Sequence, residues 1–118
     1  MNSNITTTDI TWYKAGTTAD VPENGGACAM IKGKQIALFN FTRRNEWYAT
    51  DNLCPHKQQM ILSRGMIGDM SNEPKVACPF HKKSFSLKDG HCMSGDDYTI
   101  KTYPIKVEDG LIFVGLNE

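Results

Sequence analysis

Two short stretches carry side chains that bind transition metals: Cys54-Pro55-His56 and, after 21 intervening residues, Cys78-Pro79-Phe80-His81. Each supplies one thiol and one imidazole beside a proline that stiffens its loop. A single-zinc finger groups like with like, two cysteines in one loop and two histidines on a helix. Mixed pairs suit two irons instead, with both cysteines on one and both histidines on the other, so that each loop reaches both metals and bridging sulfides complete the coordination. Taken singly, each residue is equally well a buried thiol or a satisfied core histidine, so the signal lies in the set of four. Zinc and an empty site are the alternatives.

The elements that must hold these loops read as short strands. Residues 10–14, 35–41 and 46–50 carry β-branched and aromatic residues, and 27–31 is a short apolar run that Lys32-Gly33-Lys34 joins to 35–41 in a spacing that suits a hairpin. From 51 to 81 strand signals are brief, the best being 75–77, which runs straight into Cys78. Residues 84–87 follow, then Asp89-Gly90 as a tight turn that places Cys92 and Met93 on a return strand or just beyond it. A last hairpin joins 100–107 to 111–116 through Asp109-Gly110, and Pro104 within it requires an edge or a bulge. Little of the chain has a helical period. The expectation is an all-β, antiparallel sandwich or small barrel carrying a two-loop subdomain within about residues 51–87. Residues 1–9 are expected to fray and 10–118 to form one domain.

Composition narrows the partners. Lysine plus arginine and aspartate plus glutamate number 13 each in 118 residues, so net charge offers no reason to expect nucleic acid or an anionic membrane. No apolar run reaches the roughly 20 residues of a spanning helix, and the first eight residues lack a signal peptide's pattern. The expected location is the cytoplasm, where four cysteines serve as metal ligands or buried thiols rather than disulfides. Cys28 and Cys92, outside both loops, are expected as buried thiols on strands.

The order Cys-x-His then Cys-x-x-His resembles the Rieske [2Fe–2S] motif, which implies Cys54, His56, Cys78 and His81 as ligands and a one-electron relay at about −150 to +300 mV. Lys82 stands where glycine is usual after the second histidine, and the spacing between the loops is long. Neither loop carries the extra cysteine of the disulfide-bearing type. Leu62-Ser63-Arg64-Gly65, Lys82-Lys83-Ser84-Phe85-Ser86-Leu87 and Asp89-Gly90-His91-Cys92-Met93 resemble the small subunit of bacterial assimilatory NAD(P)H-dependent nitrite reductase. That resemblance implies a large partner subunit holding FAD, a [4Fe–4S] cluster and sirohaem, which reduces nitrite to ammonium. The small subunit then relays electrons, stabilises its partner, or both, and is not catalytic alone. A Rieske ferredoxin of an aromatic-ring dioxygenase and a non-redox module of the same fold are the alternatives. Lys57, Lys82 and Lys83 are expected at the rim of the site, steering an acidic partner face.

Overall fold

The computed structural model describes residues 10–42, 45–55, 59–70, 72–79, 83–95 and 97–117. Among these run twelve strands: β1 (Ile10–Thr17), β2 (Gly25–Ile31), β3 (Lys34–Phe41), β4 (Glu46–Asp51), β5 (Leu53–Cys54), β6 (Gln59–Met60), β7 (Met66–Met70), β8 (Glu73–Ala77), β9 (Ser84–Ser86), β10 (Thr102–Tyr103), β11 (Ile105–Glu108) and β12 (Leu111–Asn117). The fold is all-β, as the sequence predicts. Two complete 3-10 turns lie among the described residues, Thr18–Asp20 and Leu62–Arg64.

β3 organises the molecule, because both of its faces are buried. Ile36 and Leu38 enter one core with Val21, Ile31, Ala49, Tyr103, Ile112 and Val114. Ala37, Phe39 and Phe41 enter the other, with Cys54, Leu62, Val76, Cys78, Phe85, Cys92 and Ile100. Side chains alternate across a strand, so odd and even residues serve different cores. A strand covered on both sides therefore reads as the continuous apolar run found at 36–39 rather than as an alternation. Phe39, Phe41 and Phe85 are fully buried, and each such side chain stabilises the fold by roughly 1.5–3 kcal/mol.

The first core lies between two antiparallel sheets, ordered β10-β4-β3-β2 and β1-β12-β11. β1 pairs with β12 from Ile10↔Asn117 to Thr17↔Leu111, with an irregularity between Lys14 and Gly16, so the two ends of the described chain form adjacent strands. The segment predicted as one strand over 100–107 is divided. Thr102 and Tyr103 pair with β4, whereas Ile105 onward pairs with β12. Pro104 lies at the switch between sheets; it has no N–H to give a ladder, and its carbonyl accepts the Gly115 N–H at 2.9 Å. The expectation is an edge or a bulge within one strand; Pro104 instead falls between β10 and β11, each the edge strand of its sheet.

Turn chemistry is also as predicted at two hairpins. Lys32 and Gly33 both have positive φ (53° and 79°), as do Asp109 and Gly110 (52° and 76°), the pattern that a two-residue connection between twisted strands requires. The Asp89-Gly90 turn differs. The return there is limited to isolated bridges, Phe85↔Cys92 and His91↔Thr99, rather than a strand. β7 escaped the sequence reading because Gly68 and Asp69 are poor strand formers, and only its full pairing with β8 makes it a strand.

Between β4 and β10 in the chain, the small sheets β5-β6 and β7-β8-β9 build on the odd-numbered face of β3. They form the layer that carries both predicted ligand loops. No helix of the described residues is long and apolar enough to cross a membrane, which says nothing of β-barrel proteins.

Candidate metal centre

Each ligand loop is closed at its base by backbone pairing. In the first, Leu53 and Cys54 of β5 pair with Met60 and Gln59 of β6, leaving residues 55–58 as the connection. In the second, Ala77 pairs with Ser84, and the Cys78 N–H donates to the Lys83 carbonyl at 2.8 Å. Each cysteine thus sits on the incoming leg of its loop. The expected ligands His56 and His81, with Lys57 and Lys82, lie outside the described residues. Lys83 is half-buried, and its backbone carbonyl serves the second loop.

The structure brings Cys54 and Cys78 into the same apolar core, at 0% and 1% exposure, against Leu62, Val76 and Phe85. None of the chain's four cysteines is in a disulfide. Two buried thiols in one water-excluding core, each at the base of a short loop, fit the donor set of the inner iron of a [2Fe–2S] group. Cys78 also lines a surface cavity of about 340 Å³ with Met66, Ile67, Lys75 and Pro79, so the second loop approaches the surface while its sulfur remains covered.

The outgoing leg of the second loop is held by side chains that the sequence did not single out. Ser84 N–H donates to Ser94 Oγ at 3.0 Å, and Met93 N–H donates to the Ser84 carbonyl at 2.7 Å. Ser86, fully buried, donates its hydroxyl to Glu73 Oε2 at 2.6 Å and accepts the Lys88 N–H at 3.1 Å. Gly65, which the sequence noted only as part of a motif, packs against the strand that delivers Cys78. A Cβ there would lie 2.3 Å from the Ala77 carbonyl oxygen and 2.8 Å from Val76 Cγ2. A lone glycine in a polar stretch gives no sign of such contact, because the partner lies twelve residues on.

Of the two cysteines outside the loops, Cys92 is buried as expected and Cys28 is not. Cys28 lies on β2 between the inward-facing residues Ala27 and Ala29, so the alternation of the strand turns it toward the surface. Its Sγ is within 3.7 Å of Gln35 Oε1 and 3.6 Å of Asn52 Nδ2. Partial burial of the sulfur pushes the thiol pKa up, which keeps it protonated at neutral pH.

Glu73, Asp89 and His91 bring three ligand-type atoms within 4.8 Å of one another, but the groups already satisfy each other or the hairpin. Glu73 accepts from Ser86, and His91 Nδ1 meets Asp89 Oδ1 at 2.5 Å. Hydrogen bonding to Asp89 raises the pKa of His91, while the backbone and ring N–H groups of His91 lower that of Asp89. The His91 share of stability is therefore complete below its ordinary value and is lost as pH rises through the raised one. The Asp89 share is complete above its ordinary value and is lost as pH falls through the lowered one. Between the two ordinary values both charges are present. Asp89→Asn is expected to lower the midpoint of the His91 titration, followed by NMR and assigned with His91→Gln; an unchanged midpoint would contradict the pairing.

Fold and site together define the class. The family of Rieske-like [2Fe–2S] domains matches residues 11–115, and the chain belongs to it. Within that family it is related to nitrite reductase small subunits. It is 33% identical over 101 residues to the nitrite reductase (NADH) small subunit of Salmonella typhimurium, covering 86% of this chain and 94% of the relative. The solution structure of the nitrite reductase [NAD(P)H] small subunit from Erwinia carotovora superposes with a TM-score of 0.77 at 29% identity, over 91% of this chain and 82% of that one. Dioxygenase ferredoxins are relatives too. The 3-phenylpropionate/cinnamic acid dioxygenase ferredoxin subunit of Shigella flexneri is 40% identical over 102 residues, covering 85% of this chain and 89% of the relative. The chain also matches 95 residues of the nitrite reductase [NAD(P)H] large subunit of Klebsiella oxytoca at 39% identity, 80% of this chain but only 10% of that protein's length.

Proposed function

We propose that this chain is the small subunit of a cytoplasmic NAD(P)H-dependent nitrite reductase and relays electrons within it. One observation carries the reading. The same domain occurs alone, as a small subunit matched over 94% of its length, and as a tenth of a large nitrite reductase subunit. A domain that is either built into the large chain or supplied beside it belongs next to that chain's redox centres. The partner is then the large subunit, holding FAD, sirohaem and a [4Fe–4S] cluster.

In this reading Cys54 and Cys78 hold one iron of a [2Fe–2S] group, and His56 and His81 hold the other. The group supplies one-electron transfer when bound. The chain's own work is to keep water from the two thiols, through Leu62, Val76 and Phe85, and to fix both loop bases by backbone pairing. A rigid, dry shell of this kind limits the reorganisation that accompanies a change of charge.

A second reading, a ferredoxin serving an aromatic-ring dioxygenase, is favoured by the 40% identity to the Shigella flexneri protein. Purification of the tagged chain from its source separates the two. Recovery of a sirohaem-containing subunit, with nitrite-dependent oxidation of NAD(P)H that falls when the small chain is deleted, is the expected result. Recovery of a dioxygenase, or nitrite reduction untouched by the deletion, would overturn the proposal.

A further inference from the structure

We propose that Asn52 is the positioning residue of the first ligand loop: through its side chain and its own backbone N–H and carbonyl it ties both ends of that loop to the β2–β3 hairpin. The inference rests on the reading of Cys54 as an iron ligand.

Asn52 lies between β4 and β5, two residues before Cys54, and is 2% exposed. A polar side chain so deeply buried is costly unless its groups are matched, and here they are. Its backbone N–H donates to the Gln35 carbonyl at 3.1 Å, and its own carbonyl accepts the Leu62 N–H at 3.0 Å. Its Oδ1 accepts the Ser63 N–H at 2.7 Å. Its Nδ2 donates to Gln35 Oε1 at 3.1 Å and reaches Cys28 Sγ at 3.6 Å. A backbone N–H can only donate, so Ser63 fixes which end of the amide is oxygen.

The topology gives these bonds their meaning. The chain leaves the scaffold at Asn52, passes through β5, the ligand loop and β6, and returns at Leu62 and Ser63 to the same residue. Leu62 is fully buried in the core that holds Cys54 and Cys78. One amide therefore closes the loop and seats its returning end beneath the thiols. The amide supplies both the donor toward Gln35 and the acceptor toward Ser63. A carboxylate would lack the donor, and an aliphatic side chain would leave the Ser63 N–H without its acceptor.

The test uses the full chain, loaded anaerobically with iron and sulfide, in four forms: unaltered, Asn52→Ala, Gln35→Met, and Val114→Ala as a control in the other core. Three quantities are read: the electron paramagnetic resonance spectrum after dithionite, the reduction potential, and the lifetime of bound iron against a chelator. Asn52→Ala is expected to shift the g-values and potential and to shorten the iron lifetime about tenfold, the scale on which outer-shell partners of metal ligands act. Gln35→Met, which removes the Oε1 that Nδ2 and the Cys28 thiol both meet but keeps the Gln35 carbonyl, should move the same readouts by less. Val114→Ala should lower thermal stability and leave all three unchanged. A spectrum, potential and lifetime in Asn52→Ala equal to those of the unaltered chain would overturn the proposal; should that variant fail to fold, unchanged values in Gln35→Met would do so. An unaltered chain that takes up no iron would remove the ligand reading itself, and this proposal with it, whereas a loaded chain with insensitive variants removes this proposal alone.

Discussion

Cys54→Ser and Cys78→Ser should each abolish the iron content and the Rieske-type paramagnetic signal of the anaerobically loaded chain. The exchange alters one atom, so shape is nearly kept, while the soft thiolate donor that suits iron–sulfur chemistry is lost. Both sites are essentially closed to solvent, in the core that holds Leu62, Val76 and Phe85. A serine hydroxyl brought into that core is expected to cost about 1–3 kcal/mol at most, within the stability of a typical domain. Circular dichroism should therefore show a folded chain without iron. Two controls separate ligation from packing. Cys92→Ser places the same hydroxyl in the same core outside the loops, and Cys28→Ser places it at the surface; both should keep their iron. Retention of the signal in Cys54→Ser, or its loss in Cys92→Ser, would show that the inner ligands have been wrongly assigned.

The second large effect is expected at Gly90. Its φ is +83°, and a Cβ added there would lie 1.9 Å from the Ile100 carbonyl oxygen, an atom of the backbone that cannot swing aside. The same carbonyl belongs to a residue whose N–H donates to the Gly90 carbonyl at 2.9 Å, so the two segments are already in direct backbone contact. Left-handed backbone costs a non-glycine residue about 1–2 kcal/mol, and forcing atoms into a packed site adds about 1–3 kcal/mol. Gly90→Ala should thus lose roughly 3 kcal/mol or more. Gly33→Ala isolates the first cost, because φ there is +79° and the site is open, with no atom of the described residues within 4 Å. It should lose only about 1–2 kcal/mol. Gly65→Ala isolates the second cost, with an ordinary φ of −74° and a 2.3 Å approach to the Ala77 oxygen. Urea unfolding of the three variants should rank Gly90 above Gly33, and equal losses at the two would refute this account. Gly65→Ala should also loosen bound iron, because the atom it displaces belongs to the residue before Cys78.

How much of this was legible in advance follows from the range of each signal. Cysteine and histidine identities, their mixed pairing and the turn residues at Lys32-Gly33 and Asp109-Gly110 are local features, readable without knowing any neighbour. The hairpin of 27–31 and 35–41 was likewise evident, since two short apolar runs separated by a glycine turn need no tertiary information. Pro104 could be placed at an edge because a missing N–H is a property of the residue itself. Cys28 was misjudged because small residues surround it on β2, and which of two alternating faces is covered depends on a sheet elsewhere in the chain. β7 was missed for a related reason, its strand character being imposed by β8.

By itself, then, the sequence determined which side chains could bind a metal, their order and the all-β class, because each rests on side-chain chemistry or on spacings of a few residues. Only the tertiary structure decided that β3 serves two cores and that Cys54 and Cys78 share one of them. It also decided that Asn52 closes the first loop and that Gly65 and Gly90 allow backbone to meet backbone. Those features join residues from ten to eighty positions apart, and no local pattern specifies contacts at that distance; they arise from packing the strands against one another.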